Sequence, residues 1–487
     1  MQQADTGAGW RFDNSYARLP AALFARTAPT PVPNPALAIL NEPLAAALGL
    51  DAALLRRTGA EVFAGNALPP GADPIAQAYA GHQFGHFTNL GDGRAILLGE
   101  QIATDGSRRD VQLKGAGRTR YSRGGDGRAA LGPMLREYVI SEGMHALGIP
   151  TTRSLAVATT GAAVLREAPL TGAVLTRIAA SHVRVGTFQY AAACGDRDAL
   201  AALLDHAIGR HDPGLAGADD RIVAFFDAVV GRQAALVARW MLVGFVHGVM
   251  NTDNMVVSGE TIDYGPCAFL DTYDPDTVFS SIDRQGRYAY GNQPAIAHWN
   301  LARLAESLLP LLPEADEAAV EPLRGVLATF PDRYERHLLA GGRAKLGLAT
   351  EEPEDGPLFA ALLQRMHEMR ADFTTTFAGL AGLVADPTGT GAGPAAGEWL
   401  VAWRARLARE PVPVDAIVAR LHRTNPVVIP RNRRVEEALA AAEEGDMTPF
   451  ERLLAAVRDP FADTPANEPY RAGPPPGCGP YRTFCGT

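Results

Sequence analysis

The sequence predicts an α+β chain built as two lobes, a small β-rich N-lobe and a large helical C-lobe, with a cleft between them. Short β-type runs cluster between residues 90 and 178 around one helical stretch. From about residue 190 onward the apolar residues fall mostly at helical spacing. The length of 487 residues suits two or three domains of about 150 residues, or one bilobal catalytic unit. The expected units are an N-terminal extension packed on the body over 1–80, the N-lobe over 81–188, the helical C-lobe over 189–460, and a Gly/Pro-rich tail over 461–487 that contains Cys485.

Each element follows from a local pattern. In the extension, the Pro-rich run APTPVPNPAL reads as extended chain, and the Ala-Leu periodicity of LNEPLAAALGLDAALL as short helices. RAILLGE and VQLK are strand-like and are separated by the turn signal TDGSRR, which predicts an antiparallel hairpin. ALGPMLREYVISEGMHALG has the apolar spacing of a helix, and SLAVAT, AAVLRE and AVLTRIA read as three further strands. DRIVAFFDAVVGRQAALVARWMLVGFVHG is apolar almost all round, which marks a buried helix ending at His247. The last stretch, PANEPYRAGPPPGCGPYRTFCGT, reads as irregular tail. This order of elements is the layout of a protein kinase-like fold.

Composition excludes several classes. Hydrophobic residues at 47% and charged residues at 20% are those of an ordinary globular chain, not of a disordered or collagenous one. Gly (50 residues) and Pro (36 residues) exceed the usual share, so many loops are expected. A net charge of −9 argues against a general nucleic-acid or membrane-surface binder. Four cysteines, Cys194, Cys267, Cys478 and Cys485, make no disulfide framework in a chain this long. No run approaches the ~18 apolar residues of a membrane span, and the N-terminus lacks the pattern of a secretory signal. A soluble, cytoplasmic, reducing setting is the expectation, with a monomer as the favoured state.

The chemistry-bearing residues appear in order. Gly91 and Gly93 flank Asp92 in LGDGR, and paired glycines let backbone approach a phosphate; taken alone, the pair also suits a plain hairpin turn. Lys114 ends VQLK, where a strand lysine facing a cleft can hold phosphate as a point charge. Glu137 follows 23 positions later on the predicted helix, the arrangement of a strand-Lys to helix-Glu ion pair. Arg177 and Arg184 in LTRIAASHVRVGTF can grip phosphate bidentately, or sit on the surface. Arg118, Arg120, Arg123 and Arg128 form a basic cluster in an acidic chain. His82 and His86 have the spacing of a helical zinc pair, but adjacent Gly81 and Gly85 weaken a helix and no third ligand is evident.

The segment HGVMNTDNMVVSGETIDYG is the most informative. Asp253 and Asn254 fall in the loop after the long helix. Met255–Val257 and Glu260–Ile262 are expected to pair as strands about Ser258-Gly259, with Asp263-Tyr264-Gly265 closing the hairpin. In kinase-like enzymes a loop Asn and a later Asp-aromatic-Gly supply oxygen ligands to magnesium, roles that Asn254 and Asp263 fit. The usual catalytic Asp lies five residues before that Asn. Here the position is Val249, which cannot accept a proton. Asp253 is the available replacement.

Together these residues resemble the selenoprotein O family, protein adenylyltransferases on a pseudokinase fold. The resemblance runs nearly end to end through FDNSYARLP, GHQFGHFTNLGDGRA, VQLKGAGRTRYSRGGDGRA, REYVISEGMHALGIPTTRSL, LTRIAASHVRVGTFQY, HGVMNTDNM, TIDYGPCAFLDTYDP, NPVVIPRN and YRTFCGT. It implies that ATP binds reversed relative to ordinary kinases, so that AMP passes to Ser, Thr or Tyr of a protein substrate and pyrophosphate leaves. It implies a nucleotide site of Gly91, Gly93, Arg94, Lys114, Asp126, Gly127, Arg177, Arg184 and Asp263, with Glu137 paired to Lys114. Asp253 would be the general base, and Asn254 and Asp263 the ligands of Mg2+ or Mn2+. The family often carries selenocysteine or cysteine near the C-terminus, where this chain has Cys485. The loop cysteine of some relatives is missing from DTVFSSID, leaving Cys267 or Cys478 as redox partners, or Cys485 as a free thiol. Two other readings stay open: phosphoryl transfer from the γ-phosphate, and a non-catalytic nucleotide-binding scaffold.

Overall fold

Ala95–Ile102 and Arg108–Lys114 are short β-prone runs joined at Asp105-Gly106-Ser107. The Asp105 carboxylate accepts the Ser107 amide at 2.8 Å, and Gly106 takes φ +80°. They pair antiparallel in the computed structural model, which describes residues 7–312, 317–386, 388–475, 478–479 and 481–483. The strands in chain order are β1 (Phe24–Arg26), β2 (Ala36–Leu40), β3 (Ile75–Gln77), β4 (Ala80–Gln83), β5 (His86–Asn89), β6 (Ala95–Ile102), β7 (Arg108–Lys114), β8 (Ala129–Ala130), β9 (Arg153–Leu165) and β10 (Pro169–Ala179). The main antiparallel sheet runs β1-β3-β6-β7-β10-β9-β2, with β8 beside β10. The strands β4 and β5 form a separate hairpin. SLAVAT and AAVLRE are not two strands but parts of β9, because Gly161, at φ +70°, carries the chain through a register shift against β10 without breaking the pairing.

The first seven α-helices among the described residues are α1 (Glu42–Ala47), α2 (Ala52–Phe63), α3 (Leu131–Ala146), α4 (Val185–Ala193), α5 (Arg197–His211), α6 (Arg221–Val243) and α7 (Gln293–Leu308). The molecule is α+β, an antiparallel sheet followed by a mostly helical second half, compatible with a bilobal fold. Helix α3 is buried almost throughout because it is covered on both sides. One side packs on β9 and β10, the other on the helices Asn432–Glu443 and Thr448–Arg458. Gly143 makes that close approach possible, since a Cβ there would sit 3.0 Å from Pro430 Cγ. The core continues through Phe188, Phe225, Phe226 and Trp240 into the helical half.

Three expectations are corrected. Helix α6 ends at Val243, not His247, because Gly244 adopts the left-handed conformation (φ +72°) and the chain turns into a short strand, Phe245–Val246. Met255–Val257 and Glu260–Ile262 do not pair with each other. Val257 N donates to Val183 O (2.9 Å) and Thr261 N to Pro150 O (2.9 Å), so each run spends its backbone groups on a different neighbour. Arms of three residues offer too few cross-strand pairs to compete. The tail is not wholly loose: Thr483 N donates to Phe279 O (2.8 Å) and Ser281 N to Thr483 O (3.0 Å). No helix among the described residues is long and apolar enough to cross a membrane.

Candidate active site

Strand geometry assembles the site's cations. Side chains alternate along a strand, and residues opposite each other across a pair share a face. Lys114 and Gln112 are two apart on β7, and Arg177 on β10 lies opposite Gln112. All three therefore point to the face covered by α3, which presents Glu137. Lys114 Nζ donates to Glu137 Oε2 at 2.6 Å, and Arg177 Nε to Glu137 Oε1 at 2.7 Å. Both cations also reach Asp263 Oδ1, at 2.8 Å and 2.6 Å. Arg184, the N-cap residue of α4, donates to Asp263 Oδ2 at 3.0 Å, and its guanidinium stacks 4.5 Å from the Tyr79 ring centroid.

Asp263 holds φ +62°, a left-handed conformation uncommon for a residue other than glycine. Its carboxylate is thereby turned toward three cations. Burial alone would raise its pKa, but Arg177, Lys114 and Arg184 outweigh burial and hold it well below the usual carboxylate range. Glu137 is lowered in the same way, burial being overcome by Arg177 and Lys114. The Lys114 ammonium is lowered, first by burial and then by neighbouring Arg177. Asp92 is raised by burial, against the pull of Arg184.

Asp253 and Asn254 belong to the 3-10 turn Thr252–Asn254. Arg184 donates to the Asp253 main-chain oxygen at 2.6 Å. The Asp253 side chain is buried, its Oδ1 has no hydrogen-bond partner among the described residues, and burial pushes its pKa up to about 6. Asn254 Nδ2 donates to Val249 O at 3.0 Å, so the amide oxygen faces away from that carbonyl. Asn254 and Asp263 thus offer hard oxygen donors beside an orphaned carboxylate oxygen, a donor set that suits a divalent ion completed by phosphates and water.

Two adjoining cavities share Tyr79, Gln83, Gly93, Arg94 and Asp253. The outer, about 290 Å³, is lined by Gly91, Tyr121, Arg123, Asp126, Gly127 and Arg128 among others. The inner, about 360 Å³, adds Lys114, Arg177, Arg184, Asn254 and Asp263. The structure thus brings together every residue expected at a nucleotide site, with Glu137 behind Lys114. Asp126 is pinned by Arg166 at 2.8 Å. Of the basic cluster, Arg123 and Arg128 line the outer cavity, whereas Arg118 binds the carbonyls of Gly124 and Gly125. His82 and His86 lie on the β4–β5 hairpin rather than a helix, and no group of three His, Cys, Asp or Glu suited to a metal occurs among the described residues. Cys485 lies outside the described residues. Cys267 is buried, and burial pushes its thiol up to about 12.

Sequence reasoning missed Tyr79, Asp92 and Tyr121. Asp92 accepts from Gln77 N (3.0 Å) and Gln112 Nε2 (3.3 Å), and fixes the turn that carries the two glycines. The signal was an acid enclosed by glycines. Gly91 has a packing reason beyond phosphate approach, since a Cβ there would lie 2.7 Å from Tyr121 Cδ1 and closer still to the ring's Cγ.

Residues 9–458 match the family model described as "Protein adenylyltransferase SelO". The chain is 60% identical over 484 residues to the "Protein nucleotidyltransferase YdiU" of Geobacillus kaustophilus, covering 99% of this chain and 100% of that protein. It is 59% identical over 482 residues to the protein of that name from Anoxybacillus flavithermus, covering 99% and 100%. With that of Rhizobium rhizogenes it shares 57% identity over 485 residues, covering 98% and 97%. A match of this extent makes the protein an enzyme of the nucleotidyltransferase class. The chain belongs to the SelO family of protein adenylyltransferases.

Proposed function

We propose that this enzyme transfers AMP from ATP to Ser, Thr or Tyr hydroxyls of protein substrates, with Asp253 as general base. The observation that carries the reading is the position of Asp253 on the border of both cavities, with Lys114, Arg177 and Arg184 confined to the inner one. The buried cations Lys114, Arg177 and Arg184 would draw the β- and γ-phosphates inward. In the outer cavity Arg166 is paired with Asp126, and Arg128 with the carbonyls of Thr30 and Pro31, leaving the nucleoside to that cavity beside Tyr121 and the glycines. The phosphate nearest the nucleoside, the α-phosphate, then lies next to Asp253. This is the reversed nucleotide orientation.

The acceptor hydroxyl oxygen attacks the α-phosphorus while the Asp253 carboxylate takes its proton. The new P–O bond forms as the bond between the α-phosphorus and its bridging oxygen breaks. Pyrophosphate leaves with the electron pair, its charge met by Lys114, Arg177 and Arg184. Glu137 holds Lys114 and Arg177 in place. Asn254 and Asp263 would hold Mg2+ or Mn2+, which when bound offsets triphosphate charge.

Val249 weighs against phosphoryl transfer of the kinase type, since it leaves no proton acceptor at the usual position. The oxygen donors Asn254 and Asp263 weigh against a mere scaffold. The test is intact-mass measurement of acceptor proteins after incubation with ATP and Mg2+, for wild type and Asp253→Asn. A gain of one AMP that the variant loses is expected. A gain of one phosphate would contradict the proposal.

A further inference from the structure

The hairpin β4–β5 stands apart from the main sheet, and its strand β4 lies against the Thr252–Asn254 turn. Its own turn is tight, with Phe84 at φ +50° and Gly85 at φ +88°. Two of its amides bind the segment that carries Asp253. His82 N donates to Thr252 Oγ1 at 2.7 Å, and Phe84 N to Asn251 Oδ1 at 3.1 Å. The Tyr288 hydroxyl donates to the same Asn251 oxygen at 2.5 Å. The hairpin is fixed in turn to the helical half. His82 Nδ1 lies 2.9 Å from Gln189 Nε2 on α4, and its ring meets Trp299 of α7 edge-on at 5.2 Å.

The packing around Asp253 leaves no slack. A Cβ on Gly81 would lie 2.8 Å from Asp253 Cγ and 2.9 Å from its Cβ, and closer still to Oδ1. On the other side, a Cβ on Gly186 would lie 3.3 Å from Asp253 Cα and would collide with Ala80 O. The aspartate is therefore held between two glycines, one from the hairpin and one from α4. Gly81, His82 and Thr252 line neither cavity, so their contacts serve Asp253 rather than the nucleotide.

We propose that the Ala80–Asn89 hairpin is the positioning element for the Asp253 carboxylate, with the Thr252 hydroxyl as its tether and Gly81 as the gauge of its distance. Thr252 and Gly81 are positioning residues and act through Asp253. The inference rests on the reading of Asp253 as the proton acceptor. Misplacing a reacting group by about 1 Å can cost ~100-fold in rate, so a contact this close to the carboxylate is enough to matter. The residues Thr252 and Gly81 have no charge, and the effect runs through geometry alone.

The experiment compares full-length wild type with Thr252→Val, Thr252→Ser, Gly81→Ala and Asp253→Asn. Casein serves as a generic hydroxyl-bearing acceptor. The turnover rate at saturating ATP is read alongside the dissociation constant of a fluorescent ATP analogue. Thr252→Val keeps the shape of threonine but removes the acceptor for His82 N. It is expected to lower turnover about 10- to 100-fold with nucleotide affinity within about twofold of wild type, and Thr252→Ser to restore most of the rate. Gly81→Ala is expected to show the same split between rate and affinity. Should Gly81→Ala fail to fold, the Thr252 pair decides. Wild-type turnover in Thr252→Val, or equal losses in the Val and Ser variants, overturns the hairpin's role. Full turnover in Asp253→Asn instead overturns the underlying reading of the base, so the two failures are distinguishable.

Discussion

Arg184 donates from its terminal nitrogen to the main-chain oxygen of Asp253 at 2.6 Å. The same guanidinium reaches Asp263 at 3.0 Å and stacks on Tyr79. One buried arginine therefore ties the turn bearing the proposed base to the proposed metal ligand. Both bonds leave the same terminal nitrogen, whose two N–H groups are held in fixed directions by the guanidinium plane.

Arg184→Lys keeps the charge but not the fork. ATP affinity is expected to fall by about tenfold, and turnover by more than affinity, because the Asp253 turn loses its anchor. Titration calorimetry with ATP and steady-state rates on an acceptor protein check this. Equal losses in both would show that the arginine only binds phosphate.

Asp263→Asn removes the carboxylate shared by Lys114, Arg177 and Arg184. Metal-dependent transfer is expected to fall by more than about 100-fold. Binding of ATP in the presence of EDTA is expected to persist or tighten, because the Asp263 carboxylate no longer competes with the triphosphate for the three cations. A rate within twofold of wild type would remove Asp263 from the machinery.

Gly91→Ala tests the outer cavity. The residue has φ +105° and abuts the Tyr121 ring. An added methyl strains the backbone and displaces the tyrosine, which on the proposed orientation borders the nucleoside. ATP affinity is expected to drop about tenfold, with affinity for inorganic pyrophosphate little changed. A loss of pyrophosphate affinity of the same size would mean that the nucleotide lies the other way round.

Lys345 supplies a pH prediction outside the site. Its side chain is buried, with Nζ 4.2 Å from the Phe377 ring centroid, and burial lowers its pKa from 10.5 to about 7. Between pH 7 and 10.5 the unfolded chain binds more protons at this lysine than the folded one does, so its contribution to stability rises with pH across that window. Below pH 7 the cost of burying the charge is present in full. Lys345→Met is therefore expected to stabilise the fold by about 2–4 kcal/mol at and below neutral pH, a gain that shrinks toward pH 10. Urea unfolding midpoints of both proteins across pH 6–10 check the slope. A pH-independent difference would show that the lysine stays charged in the folded chain.

The Lys114–Glu137 pair was legible in the sequence because a strand followed by a helix fixes which faces meet. The oxygen donors Asn254 and Asp263 were legible because their spacing is local. Arg177 was read as a phosphate ligand, yet it is as much an internal partner of Glu137 and Asp263, which follows from register across β7 and β10 rather than from its neighbours in the chain. Tyr79, Tyr121 and Thr252 were not singled out, and Gly81 was read as a helix-weakening residue, because their partners are distant in sequence; the bond from His82 to Thr252 spans 170 residues. The hairpin expected over 255–262 failed for the same reason, since local propensity could not weigh the competing bonds from Val183 and Pro150.

The central claim is that the α-phosphate is the one transferred, and separate incubations with α-labelled and γ-labelled ATP test it most directly. Acceptor protein is incubated with enzyme, Mg2+ and each label in turn, with Asp253→Asn as control. Label is expected on protein from the α position only, and to disappear with the variant. Label from the γ position and none from the α position would contradict the claim.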